Sequence, residues 1–156
     1  MVSPDPVIPK TLKEMAAEFI ARWEGFSARA YWDVNHWRIG FGSSTEGPME
    51  IPVEHHSTTT YERAIQNLEL RIGEFRYLVL RDIGTRKWSL LNPNQHVALI
   101  DICYNYGHVP IDVEPTELER TANAFIARAT DNGGINARRR RAEAALYMTK
   151  WEGQTP

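Results

Sequence analysis

The stretch at 92–107 constrains the fold more than any other part of the chain. Asn92, Pro93, Asn94 and Gln95 make a dense helix start, with Asn as N-cap, Pro at the first helical position and Gln at the third. The residues that follow, VALIDICYNYG, are apolar on nearly every face. A helix of that kind belongs in the middle of a domain, with other elements packed around it. Gly107 is placed to end it.

The rest of the chain is long enough to supply that packing. Its 156 residues are one domain's worth, read as a single domain over 1–156. Hydrophobic residues make up 42% and charged residues 24%, which is globular rather than disordered. A chain of this length needs no disulfides, and Cys103 is its only cysteine, which fits a reducing compartment. The net charge of -2 provides no global field to recruit nucleic acid or an acidic polymer. The opening MVSPDPVIPK lacks the apolar core of a signal peptide, and no apolar run is long enough to span a membrane.

Residues 1–9 carry Pro4, Pro6 and Pro9 and read as an extended lead-in. Leu12, Met15, Ala16, Phe19, Ile20 and Trp23 form one apolar stripe of a helix, with Gly25 placed to stop it. Residues 29–45 hold aromatic and β-branched residues around Val34, Asn35 and His36, which read as a turn. A hairpin or a three-stranded sheet is expected there, followed by a loop at 46–56. A long helix is expected at 59–82, opened by a Thr59 and Glu62 capping box and followed by Gly84. Two more helices are expected at 116–129 and 135–150, separated by Asp131, Asn132, Gly133 and Gly134. The fold class is α+β, mostly α.

Glu24 is the most informative polar residue. It lies four positions after Ile20 and twelve after Leu12, on the apolar stripe of its own helix and in the last turn. Apolar neighbours and the negative end of the helix dipole both favour the protonated carboxyl. A general acid working near neutral pH must hold that form. The spacing leaves a second reading open, in which Glu24 turns outward and makes a surface salt bridge. Asp33, nine residues on, is a second carboxylate. Glycosidases use one protonated and one ionised carboxyl group about the scissile bond. On its own, Asp33 also suits the start of a turn.

Together these residues carry a family resemblance. Glu24, Gly25 and Phe26, then Ala30 and Tyr31, Asp33, and Ile39, Gly40, Phe41 and Gly42 resemble the Glu-Gly, Ala-Tyr, Asp, Ile-Gly-Tyr-Gly signature of phage-type lysozymes, glycoside hydrolase family 24. Leu91, Asn92, Gln95, Ala98, Leu99, Tyr104, Asn105 and Gly107 are similar to that family's central helix. Gly133, Gly134 and Ile135, the arginines at 138–141 and Glu143 are similar to its last segment.

The resemblance implies a lysozyme-like fold of two lobes joined by a long helix. The small β lobe would span about 25–58, the connecting helix about 59–82 and the helical lobe 85–156. It implies a muramidase acting on the β-1,4 bond between N-acetylmuramic acid and N-acetylglucosamine of bacterial peptidoglycan. No cofactor, metal or nucleic acid is implied, and the protein is expected to be a monomer. Without a leader it would wait in the host cytoplasm for a membrane pore, or travel with a virion. Glu24 takes the acid position and Asp33 the carboxylate position. Arg139 or Arg138 would approach Glu24, and at least half of the arginine run would be a solvated face.

The sequence also departs from the family. Arg38 stands where the family has a threonine that helps hold the attacking water, and Ser43 stands in place of a histidine. Two outcomes stay open. Ser43, Ser44 or Thr45 supplies a substitute hydroxyl, or water is not the nucleophile and the enzyme is a lytic transglycosylase giving 1,6-anhydro products. Arg38 would then pair with Asp33 or contact a stem-peptide carboxylate. A non-catalytic wall-binding module is the reading from another class. Tyr31, Trp32 and Trp37 either stack on sugars or pack the small lobe, with His36 as a further polar contact. Asn105 is either a substrate contact or a hydrogen-bonded helix end. His55 and His56 are adjacent, which is poor spacing for a metal.

Overall fold

The structure is a computed structural model that describes residues 10–153, so the expected lead-in at 1–9 lies outside the described residues. In chain order these residues form α1 (Leu12–Ala21), β1 (Ser27–Asp33), β2 (His36–Gly40), β3 (Thr45–Glu46), β4 (Ile51–Pro52), α2 (Tyr61–Ile83), α3 (Thr85–Ser89), α4 (Pro93–Tyr106), α5 (Leu118–Ala127) and α6 (Ala137–Met148).

Helix α4 is the buried centre. Asn92 Oδ1 accepts from the Gln95 N–H and Gln95 Oε1 accepts from the Asn92 N–H, each at 2.9 Å, completing the capping box. Val97 to Cys103 are buried without interruption, and α1, α2 and α6 pack around them. Each large aliphatic side chain buried there contributes about 1.5–3 kcal/mol. Gly107 closes the helix at φ +81, a conformation that favours glycine.

The first helix is shorter than its stripe suggests. It ends at Ala21, with Arg22 as a right-handed cap, and Gly25 is not in the left-handed region. The N–H groups of Trp23 and Glu24 both donate to the Ile20 carbonyl, at 3.0 and 3.1 Å. Trp23 continues the apolar pattern by packing on Phe19, with ring centroids 6.3 Å apart, although it lies outside the helix. This last turn fixes the direction in which Glu24 leaves the backbone.

Strands β1 and β2 form an antiparallel hairpin, pairing Tyr31 with Arg38, Trp32 with Trp37 and Asp33 with His36. The turn is Val34 and Asn35 alone, because His36 already belongs to β2. A third strand does not join this sheet. A separate ribbon forms from β3 and β4, the latter inside the expected loop.

The long connecting helix starts one residue late. Thr60 is the N-cap of α2, accepting from the Arg63 N–H at 3.2 Å, so the expected Thr59 and Glu62 box does not form. Thr59 is held back by the small lobe: its N–H donates to the Ala28 carbonyl at 2.9 Å. Gly84 ends α2 and opens the unforeseen α3, whose five residues are too few to show a stripe. Helices α5 and α6 are each shorter at both ends than expected, and the break between them has Asn132 and Gly133 in left-handed conformations.

Three contacts dock the small lobe on α2. The rings of Phe26, Phe41 and Tyr61 meet with centroids 5.4–5.6 Å apart. Gly40, at φ +64, lies so close to α2 that a Cβ there would sit 3.0 Å from Ala64 Cβ. Arg71 donates to Glu50, Thr45 Oγ1 and the Gly47 carbonyl, and Asn67 bonds the Thr45 carbonyl and the Gly47 N–H. The result is mostly helical with a small β lobe. No described helix is long and apolar enough to cross a membrane.

Candidate active site

The site is organised by one buried side chain. On α6 the residues Arg139, Arg140, Glu143, Ala144 and Tyr147 face inward and are buried, whereas Arg138 and Arg141 are exposed. Arg139 is 3% exposed. Its Nε and Nη2 donate to the two oxygens of Asp101 at 2.9 and 2.7 Å, and its Nη1 donates to Glu24 Oε1 at 2.8 Å. Burial alone would discourage the guanidinium charge. The bonds and charges of Asp101, and then of Glu24, overcome it and raise the group above its ordinary value.

Glu24 is therefore not an outward surface residue. Its side chain is 27% exposed and its partner is almost fully buried. Of the two arginines considered, Arg139 makes the contact.

A second buried layer lies behind Arg139. Arg140 Nη2 is 2.9 Å from Glu143 Oε1 and donates to Asn105 Oδ1 at 3.1 Å, and its guanidinium lies over the Tyr106 ring. Glu143 Oε1 is 3.9 Å from Arg139 Nε. Burial first, and then the neighbouring Asp101 carboxyl, push Glu143 up to about 11, so it holds a proton at neutral pH. Sequence reasoning missed Asp101 as a site residue. The available signal was its position as the one acid in an otherwise apolar buried helix, since a buried charge must be paired.

The β1–β2 hairpin forms a separate wall that carries the second carboxylate. Arg38 Nε donates to Asp33 Oδ2 at 2.7 Å, and Arg38 Nη1 donates to the Gly42 carbonyl at 3.0 Å. Asp33 and Arg38 are diagonal neighbours, with Tyr31 on the same face. Tyr104 joins this wall to the core, its hydroxyl donating to the Phe41 carbonyl at 3.3 Å. Burial, and then the Glu24 charge, push Tyr104 up to about 12, with Arg139, Arg38 and Asp101 also within electrostatic reach.

Several sequence candidates lie elsewhere or are committed. Strand alternation puts Trp37 on the opposite face from Asp33, edge-on to Trp32 at 5.5 Å and near His55. Trp37 therefore does not share the face of Asp33, and it packs within the small lobe. Thr45 Oγ1 accepts from Arg71. Ser43 pairs its backbone with Ile39, closing the turn through Gly40, Phe41 and Gly42. Asn105 is exposed and serves as the acceptor for Arg140. His36 contacts Asn35 at the hairpin tip, and His55 packs on His56. Among the described residues no group of three His, Cys, Asp or Glu could hold a metal ion.

Comparison with known proteins matches this architecture. The phage lysozyme family model covers residues 21–152. A P22 lysozyme mutant has a similar structure with a TM-score of 0.72 at 22% identity, over 90% of this chain and 100% of that one. The muramidase domain of SpmX from Asticaccaulis excentricus has a TM-score of 0.67 at 23% identity, over 91% of this chain and 100% of that domain. An endolysin from the Escherichia coli O157:H7 phage FAHEc1 has a TM-score of 0.66 at 22% identity, over 94% of this chain and 96% of that one. No curated protein sequence matches. The family match extends from the turn that carries Glu24 to beyond α6, and the chain belongs to the phage lysozyme family.

Proposed function

We propose that this protein is a peptidoglycan glycosidase cleaving the β-1,4 bond between N-acetylmuramic acid and N-acetylglucosamine, with Glu24 as general acid and Asp33 as the opposing carboxylate. Family membership supports wall lysis by a glycoside hydrolase. The observation that carries the finer reading is the Glu24 carboxyl gripped at one oxygen by a buried Arg139. Such a grip leaves the other oxygen to deliver a proton to the glycosidic oxygen. Asp33 would favour the positive charge that develops on the sugar ring.

A specific observation favours transglycosylation as the second reading. Arg38 has no hydroxyl, and its guanidinium is committed to Asp33 and to the Gly42 carbonyl. Attack by the 6-hydroxyl of the muramic sugar needs an acid and base carboxyl but no positioned water.

Digestion of purified sacculi by wild type and Glu24→Gln, with products weighed by mass spectrometry, separates these readings. Reducing muropeptides from wild type alone mean a hydrolase. Products one water lighter mean a transglycosylase. Binding by both proteins without soluble product would leave a wall-binding module and end the enzymatic reading.

A further inference from the structure

The network around Arg139 holds more acid than the acid position needs. Three carboxyl groups, Glu24, Asp101 and Glu143, meet two guanidiniums, Arg139 and Arg140. Neutrality of that set requires one proton on the carboxyls, and Glu143 holds it. Asp101 is fully buried and meets Arg139 through both oxygens, a fork-to-fork geometry that fixes the guanidinium plane. Three of the five guanidinium N–H groups are engaged, those of Nε and Nη2 by Asp101 and one of Nη1 by Glu24, so the plane set by Asp101 aims Nη1 at Glu24.

We propose that Asp101 is a positioning residue for the reaction, holding Arg139 in one plane against Glu24 while its own charge offsets that of the guanidinium. This rests on the reading of Glu24 as the acid. Asp101 touches no substrate in this scheme, since it is enclosed by α4 and α6.

The other charged or titratable groups facing the pair are Tyr104 on α4, Arg140 and Glu143 on α6, and Arg38 with Asp33 on the hairpin. Tyr104 and Glu143 keep their protons through neutral pH. Guanidinium groups stay charged throughout.

The experiment measures kcat and KM on soluble peptidoglycan fragments against pH for wild type and Asp101→Asn. The amide keeps the shape and removes the charge. We expect kcat at neutral pH to fall about tenfold, KM to stay within about twofold, and the alkaline limb to move about one pH unit toward acid. A purely structural Asp101 would lower thermal stability and the active fraction while leaving that limb in place, and this result would overturn the proposal.

A second measurement stands independently of Asp101→Asn folding and of activity. In Glu24→Gln, the Arg139 Nε–H should remain protected from solvent exchange in the guanidinium nitrogen NMR spectrum, because Asp101 alone holds that end. An unprotected Nε–H would also sink the proposal. If wild type releases no wall product but Nε–H stays protected, the clamp stands and the glycosidase reading falls.

Discussion

Arg38 lies diagonally across the hairpin from Asp33, its Nε 2.7 Å from Oδ2, and both are on the face turned away from Trp37. The pair is partly solvated, with side chains 31% and 47% exposed, so it adds less than about 1 kcal/mol to stability. Its importance is orientation. Arg38→Ala should leave the unfolding midpoint almost unchanged and lower kcat/KM on sacculi about ten- to a hundredfold, because Asp33 loses the group that aims it. An equal fall in stability and activity would show that the pair holds the hairpin instead.

Glu143 gives a sharper test of charge inside the core. Burial, then Asp101, push it up to about 11. An acid raised on folding adds stability below its unfolded value, and that contribution is lost as pH rises toward the folded one. Glu143→Gln mimics the protonated form, so its midpoint at neutral pH should match or exceed that of wild type. If Glu143 were ionised and paired with Arg140, the same change would destabilise the fold by about 3–5 kcal/mol. Denaturant unfolding distinguishes the two.

His96 sets part of the acid sensitivity. Its ring stacks on Trp88 at 3.6 Å and its Nε2 bonds the Trp88 carbonyl. Burial lowers its pKa, more than the carbonyl raises it, and Arg76 lowers it further. The folded protein therefore binds this proton less readily than the unfolded chain. That stability is complete above the ordinary histidine value and is lost as pH falls through the lower folded value. His96→Gln should flatten the decline in unfolding free energy as pH falls below the ordinary histidine value.

Gly40 tests how the small lobe is docked. A Cβ there would meet Ala64 at 3.0 Å from a backbone at φ +64. Gly40→Ala should cost more than about 1 kcal/mol of stability. It should also lower activity by shifting Arg38 and Asp33 on the same hairpin. Calorimetry and a sacculus assay on the same preparation check both effects.

The features legible in the sequence are those with local causes. Asn92, Gln95 and Gly107 bound α4 by capping chemistry that involves only near neighbours. The small β lobe and the long helix after it are read from aromatic content and periodicity. Thr59 misleads because its N–H is claimed by Ala28, thirty-one residues earlier, so the cap passes to Thr60. Helix α3 is too short to carry a period. Within the site, the run at 138–141 shows that an arginine lies on this helix, but the helix phase selects Arg139. Asp101 is visible only as an anomaly, because its partner lies thirty-eight residues away. Trp37 sits in the right segment, yet a strand alternates faces at every residue, so proximity in sequence did not place it beside Asp33.

The ionic layer between α4 and α6 has a bearing on how this protein would change under selection. Buried salt-bridge clusters are often no more stable than hydrocarbon of the same volume, and replacing them whole can strengthen a fold by about 1–4 kcal/mol. Arg139, Arg140, Asp101 and Glu143 occupy the space where leucine and methionine would pack. A laboratory search that rewarded heat resistance alone would drift toward such replacements and away from lytic power. Thermostable descendants of this chain that still lyse walls should instead carry their changes in α5, in the helix ends and on the outer face of α2.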